Sequence, residues 1–127
     1  MKVRTTEASG RVLDYLVAIA EGFTVDVNTQ SMHMPLPEGY GGPSNFLDNF
    51  EQYKPSTDPA QGTPILFRER ITIRHWDNEP FVTAYMPTLG SLWVHGKDPL
   101  EAGLRAYVHS KLGEEVDVPI QLTQLGE

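Results

Sequence analysis

The distribution of glycine and proline constrains the fold of this chain most strongly. Residues 28–64 hold six of its 10 prolines and four of its 11 glycines. Both residue types disfavour the interior of helices and strands, so we predict a long loop over residues 28–64. A chain of 127 residues has the size of one domain. The segments on either side of the loop must therefore share one core.

Amphipathic helices are predicted near both ends of the chain. Apolar residues recur at helical spacing over residues 12–20, and Gly22 suits the left-handed position after the helix. Near the other end, Asp98-Pro99-Leu100-Glu101 combines an N-cap, a first-turn proline and an acid that can bond to the cap amide. An apolar stripe continues to Leu112, and Gly113 ends this second helix.

Two strands between these helices are predicted to form a hairpin. Ile71 and Ile73 face one side of the first strand, and polar or aromatic residues alternate with them. Turn residues occupy positions 77–80, and residues 81–86 return as the second strand. Residues 64–70 fit either a short helix, begun by Thr63-Pro64, or a strand.

Together these elements predict an α+β fold for a single domain of residues 1–127. We expect a small antiparallel sheet with a central hairpin, covered on one face by the N-terminal and C-terminal helices. A short helix from Ser44 to Lys54 is expected within the long loop. Val116 and Val118 alternate with acids as in a last strand, and residues 119–127 are predicted to form a tail.

The composition excludes several kinds of chemistry. With no cysteine, the chain has no disulfide framework, thiolate metal site or cysteine nucleophile. Its net charge of −7 weighs against general DNA binding, which depends on Lys and Arg at phosphates. The apolar run of the first helix is too short to span a bilayer, so we expect a cytoplasmic protein that does not contact membranes.

Two groups of residues are candidates for binding. The first concentrates cationic and aromatic groups within nine residues of an acidic chain, and its members are Arg68, Arg70, Arg74 and Trp76. Such a patch can stack on a base and hold phosphate, or bind an acidic partner. Pairing of the arginines with nearby acids such as Glu69 and Asp77 is the simpler interpretation.

The second group lies in the polar segment over residues 55–64. Thr57, Asp58 and Gln61 offer hydroxyl, carboxylate and amide groups on a restricted backbone, as in a rigid binding loop. An elaborate turn, in which Ser56, Thr57 and Asp58 bond to nearby backbone amides, is the simpler interpretation.

No pattern in the sequence indicates catalysis, and we expect no metal and no cofactor. The four histidines are not spaced as metal ligands, and we expect them to be solvated or structurally satisfied: His33, His75, His95 and His109. An enzyme would require several polar groups to converge in one pocket, two or more from Asp58, Gln61, His75, His95 and His109.

Three blocks of the sequence are similar to a known family. They lie at residues 10–22, 55–71 and 98–118, and they include Leu13-Asp14, Ala60-Gln61-Gly62 and Arg105-Ala106-Tyr107-Val108. In these blocks the chain resembles the phage-encoded NinX-like family, small phage and prophage proteins classed as a domain of unknown function. Pro59 departs from the pattern, which has an aromatic residue there. The resemblance implies a phage or prophage context and carries over no activity.

These observations predict a non-enzymatic accessory protein that binds a host or phage macromolecule in the bacterial cytoplasm. The acidic charge favours a protein over nucleic acid as the partner. The alternative is a nucleic-acid-binding module that uses the arginine and tryptophan patch, and a small-molecule enzyme is a third reading. An exposed sheet edge would also allow a homo-oligomer.

Overall fold

The computed structural model describes residues 1–33 and 47–123 and confirms the predicted α+β fold. The helices in this part of the chain are α1 (Gly10–Ala20), α2 (Pro59–Arg68), α3 (Pro99–Leu112) and α4 (Ile120–Thr123). The strands are β1 (Lys2–Arg4), β2 (Thr24–Asp26), β3 (Ser31–His33), β4 (Leu47–Asn49), β5 (Thr72–His75), β6 (Val82–Tyr85), β7 (Val94–Gly96) and β8 (Glu115–Asp117). Single 3-10 turns span Thr5–Glu7, Phe50–Gln52 and Pro87–Leu89.

The described strands form three small antiparallel sheets rather than one. β1 pairs with β8, β3 lies between β2 and β4, and β6 lies between β5 and β7. The predicted hairpin is confirmed as β5 and β6, in register from Thr72 opposite Tyr85 to His75 opposite Val82. The predicted last strand is β8. Its partner β1 is a three-residue strand that carries no local signal of its own.

Helix α3 is the wall that two apolar clusters share. Leu104, Tyr107 and Val108 are buried in the larger cluster, which α1 and α2 also line. Ala102 and Ala106 are buried in the smaller cluster against the β5–β6–β7 sheet. Helix α1 packs chiefly on α3, β2 and α4. Helix α3 therefore covers the β5–β6–β7 sheet. Helix α1 packs on α3 and does not cover this sheet beside α3.

The start of α3 follows the sequence prediction with one difference. The Asp98 carboxylate accepts a hydrogen bond from the Glu101 amide at 2.9 Å, as an N-cap does. The Glu101 carboxylate, in turn, accepts from the amide of Lys97 at 2.8 Å, one residue before the cap. Both bonds satisfy amides that a helix start leaves unpaired, and Gly113, with φ of 90°, ends the helix as predicted.

Helix α2 resolves the choice left open for residues 64–70, and it begins earlier than Thr63-Pro64. Asp58 is its N-cap and Pro59 its first residue, so this pair supplies the same signal one turn upstream. Pro64 lies inside the helix, which ends at Arg68. Arg70 then adopts a left-handed φ of 55°, and this turn redirects the chain into β5.

The predicted long loop contains more regular structure than expected. β3 and β4 pair within it, and α2 begins before it ends. The helix predicted from Ser44 to Lys54 is wrong where it can be compared, because residues 47–49 form β4 and residues 50–52 a single 3-10 turn. Its first part lies outside the described residues. The predicted tail is also partly ordered, because α4 buries Leu122 completely.

A buried ion pair fastens the segment after β4 to α1. Asp14 is 2 % exposed and accepts hydrogen bonds from the Arg11 guanidinium and from the Ser56 amide, both at 2.9 Å. The same guanidinium donates to the carbonyls of Phe50 and Tyr53. Burial raises the pKa of Asp14 above its usual value, although the bonds from Ser56 and Arg11 act in the opposite direction. This pair fixes the entry to α2.

Candidate functional site

The exposed side of the β5–β6–β7 sheet carries a cluster of aromatic side chains. Strand alternation directs Ile73, Ala84 and Val94 toward α3, so the residues between them face outward. We call this outer surface the aromatic face, and it consists of Arg74, Trp76, Phe81, Thr83, Tyr85, Trp93 and His95. Arg74, Thr83 and His95 are directly paired across the three strands and form its middle row.

Contacts among these side chains hold them in fixed positions. The Arg74 guanidinium lies 3.9 Å from the centre of the Trp76 ring, which is a cation–π contact. The Trp76 indole N–H donates to the Thr83 hydroxyl at 2.9 Å. Tyr85 and Trp93 stack with ring centres 5.1 Å apart. Each ring is therefore supported by a neighbour, and little side-chain entropy remains to be lost on binding.

A groove of about 390 Å³ crosses the aromatic face. Thr83 is only 3 % exposed and forms its floor, while Trp76 and Trp93 line it on either side. Phe81 and His95, whose rings are 4.7 Å apart, complete the lining. Both tryptophans of the chain therefore lie in this one groove.

The charge on the aromatic face is small and mixed. Arg74 is its one arginine, and the Glu79 carboxylate lines the same groove. His95 is exposed beside them. The face therefore combines a large apolar contact area with one cation and one anion rather than a strongly charged field.

The sequence patch of three arginines is divided by the fold. Arg74 and Trp76 lie on the aromatic face, as the alternation of β5 predicts. Arg68 ends α2 and lines a different groove, of about 510 Å³, together with Glu21 and Tyr53. Arg70 is exposed in the turn between α2 and β5. Only two of the four predicted residues therefore belong to one surface.

Arg68 is held by a network that joins three helices. Its guanidinium donates to both oxygens of the Glu21 carboxylate, at 2.9 and 2.5 Å, and to Glu69 at 2.8 Å. The Tyr107 hydroxyl donates to the same Glu21 carboxylate. These acceptors use most of the N–H donors of Arg68, and they come from the ends of α1 and α2. Arg68 therefore stabilises the packing of α1 and α2 on α3, which carries Tyr107.

The same network shifts the acid–base properties of its members. Burial alone would raise the pKa of Glu21, but the hydrogen bonds and charge of Arg68 and the bond from Tyr107 outweigh it, and the pKa is lowered. Burial and the Glu21 carboxylate both raise the pKa of the Tyr107 hydroxyl. The ion pair is therefore intact at neutral pH.

The polar segment before α2 is occupied by local hydrogen bonds. The Asp58 carboxylate accepts from the Ala60 amide and from the Gln61 side chain, both at 3.0 Å. Gln61 also accepts from the Lys54 amide at 2.8 Å and donates to the Gln52 carbonyl at 3.0 Å. Thr57 is exposed. Asp58 thus bonds to a nearby backbone amide, as the simpler interpretation expects, and it does so as the N-cap of α2, which Gln61 also braces.

The polar groups considered for catalysis are dispersed. Gln61, His95 and His109 line separate surface cavities, and only Asp58 and Gln61 are in contact. The Nδ1 of His109 lies 3.0 Å from the hydroxyl of Thr5, a fully buried residue that itself donates to the Gly113 carbonyl at 2.7 Å. Within residues 1–33 and 47–123, no three His, Asp or Glu side chains are arranged to hold a metal ion.

Five members of the aromatic face are absent from the binding residues that the sequence predicts. Phe81, Thr83 and Tyr85 lie on the predicted second strand, so continuing the alternation of the hairpin identifies them. Trp93 immediately precedes the third strand and His95 lies in it, and the register of this strand is known only from the fold.

Comparison with known proteins gives one family. The family model described as Bacteriophage P22, NinX matches residues 4–111. No curated protein matches the chain significantly. Within the described parts of the chain, the helices are too short or too polar to cross a membrane.

Proposed function

The chain belongs to the bacteriophage P22 NinX family, and we propose that it is a phage accessory protein that acts, without catalysis, by binding a partner protein through the aromatic face. The observation that carries this proposal is the cluster of Trp76, Trp93 and Phe81 around one groove, with Tyr85 stacked on Trp93 beside it. Tryptophan, tyrosine and arginine dominate the binding energy of protein interfaces, and the two aromatic residues bury large areas at a low entropy cost.

The packing beneath the face supports a binding role. Ala84 and Val94 are buried against α3, and Gly96 allows β7 to approach the backbone of Ala102 closely. The sheet is therefore a firm support, and the rings above it are already ordered by their mutual contacts. A pre-organised surface of this kind binds without a large ordering cost.

The charges favour a protein partner over nucleic acid. A strand of nucleic acid brings one phosphate per nucleotide, and its affinity depends on several Lys or Arg contacts. The face supplies Arg74 alone and also presents Glu79, in a chain of net charge −7. The favourable contribution here is instead the burial of aromatic surface.

Nucleic-acid binding is the second candidate because one contact favours it. The Arg74 guanidinium over the Trp76 ring resembles the combinations of cation and aromatic ring on which bases stack. This alternative predicts that binding weakens steeply as salt rises, whereas burial of aromatic surface predicts little dependence on salt.

The test is affinity capture of partners from phage-infected host cells, with paired variants. Arg74→Ala and Trp76→Ala each remove one contact of the face. Phe67→Ala is the matched control, because Phe67 is an exposed aromatic (78 % exposed) on α2, away from the groove. Circular dichroism establishes that each variant is folded.

We expect one specific protein to be recovered by native protein and by Phe67→Ala, and to be lost with Trp76→Ala. Recovery should persist at about 0.5 M salt, where the Debye length falls to roughly 4 Å. Capture that is unaffected by both face variants would refute the proposed surface. Capture of nucleic acid that disappears with added salt and with Arg74→Ala would establish the second candidate instead.

A further inference from the structure

We infer that the groove of the aromatic face takes a proline-rich, extended segment of the partner protein, an inference that rests on the proposed function. Proline-rich segments adopt the polyproline II conformation, which presents compact apolar rings and leaves its carbonyl groups without internal hydrogen bonds. Such ligands are bound by aromatic-lined grooves. The aromatic face offers aromatic rings to the apolar proline rings and hydrogen-bond donors to the carbonyl groups.

The walls of the groove match the apolar rings of such a segment. Trp76 and Trp93 line a groove whose floor is the almost fully buried Thr83. Arg74 covers one side of the Trp76 ring and Tyr85 covers one side of Trp93, and these contacts hold the two rings in place while both still line the groove. A rigid proline ring loses little entropy when it packs on a rigid aromatic surface, which favours proline over flexible apolar side chains.

Two hydrogen-bond donors on the face match the carbonyl groups of such a segment. Trp76 cannot serve, because its indole N–H is already bonded to Thr83. The Trp93 indole N–H and the Tyr85 hydroxyl, by contrast, have no hydrogen-bond partner within the described part of the chain. The two rings stack with their centres 5.1 Å apart, and Trp93 lines the groove while Tyr85 lies next to it on the aromatic face. A polyproline II backbone offers outward carbonyls to such a pair, whereas a strand already paired in a sheet does not.

The remaining charges are consistent with this occupant. Arg74 and Glu79 both line the groove, so neither a polyanionic strand nor a strongly basic peptide meets a field of one sign. A proline-rich segment is uncharged where it contacts the walls, so it needs no complementary field in a groove that carries one cation and one anion. The occupant is therefore selected by ring stacking and carbonyl bonds rather than by net charge.

Intrinsic fluorescence gives a direct assay, because both tryptophans of the chain line this groove. The probe is a decaproline peptide, titrated into the full chain. The comparison ligands are a glycine–serine peptide of the same length and a ten-nucleotide oligothymidine. We expect a saturable spectral change with decaproline, at an affinity at least about tenfold above that for the glycine–serine peptide, which corresponds to roughly 1.4 kcal/mol.

Two variants test the assigned contacts. Trp93→Phe keeps an aromatic ring but removes the indole donor, and it should weaken decaproline binding about fivefold to tenfold, the effect of one lost hydrogen bond. Phe67→Ala removes an exposed aromatic elsewhere and should bind like the native chain. Equal binding by Trp93→Phe would overturn the carbonyl contact that the inference assigns.

The outcomes separate this inference from the proposed function. No response to decaproline at millimolar concentration, or tighter binding of oligothymidine, overturns the proline-rich ligand. If Trp76→Ala still abolishes capture of a partner from infected cells, the binding surface stands and only the ligand class is wrong. If decaproline binds but capture is independent of the face, the proposed function fails while the groove chemistry holds. Concentration-dependent self-association through the face, measured by sedimentation, would assign the groove to a second copy and overturn the inference.

Discussion

The contact between Gly96 and α3 allows the support of the aromatic face to be tested by one methyl group. A Cβ atom at Gly96 would lie 2.3 Å from the amide nitrogen of Ala102 and 2.6 Å from its Cα. Carbon atoms in contact prefer about 3.5–4.0 Å, so the end of β7 would have to move away from α3 by roughly 1 Å. The obstacle is helix backbone, which cannot rotate aside as a side chain can.

We therefore expect Gly96→Ala to destabilise the protein by about 3 kcal/mol, the upper part of the range for overpacked sites. For a domain of this size, that corresponds to a melting temperature about 10 °C lower. The measurement is thermal unfolding followed by circular dichroism, with tryptophan fluorescence as a second probe. The fluorescence should change in the folded state as well, because β7 carries the aromatic face with it.

Gly22→Ala is the matched control for this experiment. Nothing lies within 4 Å of a Cβ at Gly22, and its φ of 99° makes alanine unfavourable only through backbone strain. That strain amounts to about 1 kcal/mol and should leave the fluorescence of the folded protein unchanged. A Gly96→Ala variant as stable as native protein, or more stable than Gly22→Ala, would refute the close approach of β7 and α3.

Three further perturbations test other parts of the structure. Leu104→Ala should lower the free energy of unfolding by about 2–5 kcal/mol in urea titrations, because Leu104 is fully buried in the larger cluster; a loss below about 1 kcal/mol would contradict that packing. Asp14→Ala should lower the free energy of unfolding by about 3 kcal/mol, because the Arg11 side chain is only 19 % exposed and its charge would lose the carboxylate partner. A neutral effect would show that the two backbone carbonyls bonded to Arg11 are enough to stabilise its buried charge. Glu21→Gln should be less stable than native protein by a constant amount above pH 4.5, the ordinary glutamate pKa. This difference should vanish as the pH falls through the lower pKa that Glu21 has in the folded protein. Urea midpoints measured from about pH 6 to about pH 3 check this, and a difference that grows toward acid would mean that Arg68 does not lower the pKa of Glu21.

Local signals predicted the elements whose boundaries are set by a few adjacent residues. The Asp98-Pro99 start of α3 was predicted because an N-cap and a first-turn proline act within one helical turn. Asp58-Pro59 and Thr63-Pro64 carry the same kind of signal five residues apart, and the sequence prediction placed the helix start at the second pair, whereas α2 begins at the first. The hairpin was predictable because alternation and turn residues lie within one short segment.

Contacts between distant segments were not predictable. Strand β1 is three residues long and pairs with β8 near the other end of the chain, so nothing close to Val3 indicates its partner Val116. The division of the core by α3 depends on which helix face meets the sheet. The small residues Gly103 and Ala106 allow close packing on two sides of α3, against Leu66 and in the smaller cluster. The sequence shows that these residues are small, but it does not show which element packs against each of them.

The candidate site shows the same limit. Arg68 and Arg74 are close in sequence, but a helix end and the left-handed turn at Arg70 place them on different surfaces. Arg68 pairs with the adjacent Glu69, as the sequence suggests, but its other partner, Glu21, lies on the far side of the long loop. Trp93 joined the aromatic face only through the pairing of β7 with β6, a register that no local pattern fixed.

The central claim is that partners bind on the outer face of the β5–β6–β7 sheet, and nuclear magnetic resonance tests it most directly. The two tryptophans give two indole N–H signals, and both lie in the groove. On titration with the captured partner, we predict that both signals shift, with the larger change at Trp93, whose N–H gains an acceptor. Unchanged indole signals, with the shifts confined to amides near Arg68 and Tyr53, would contradict the account.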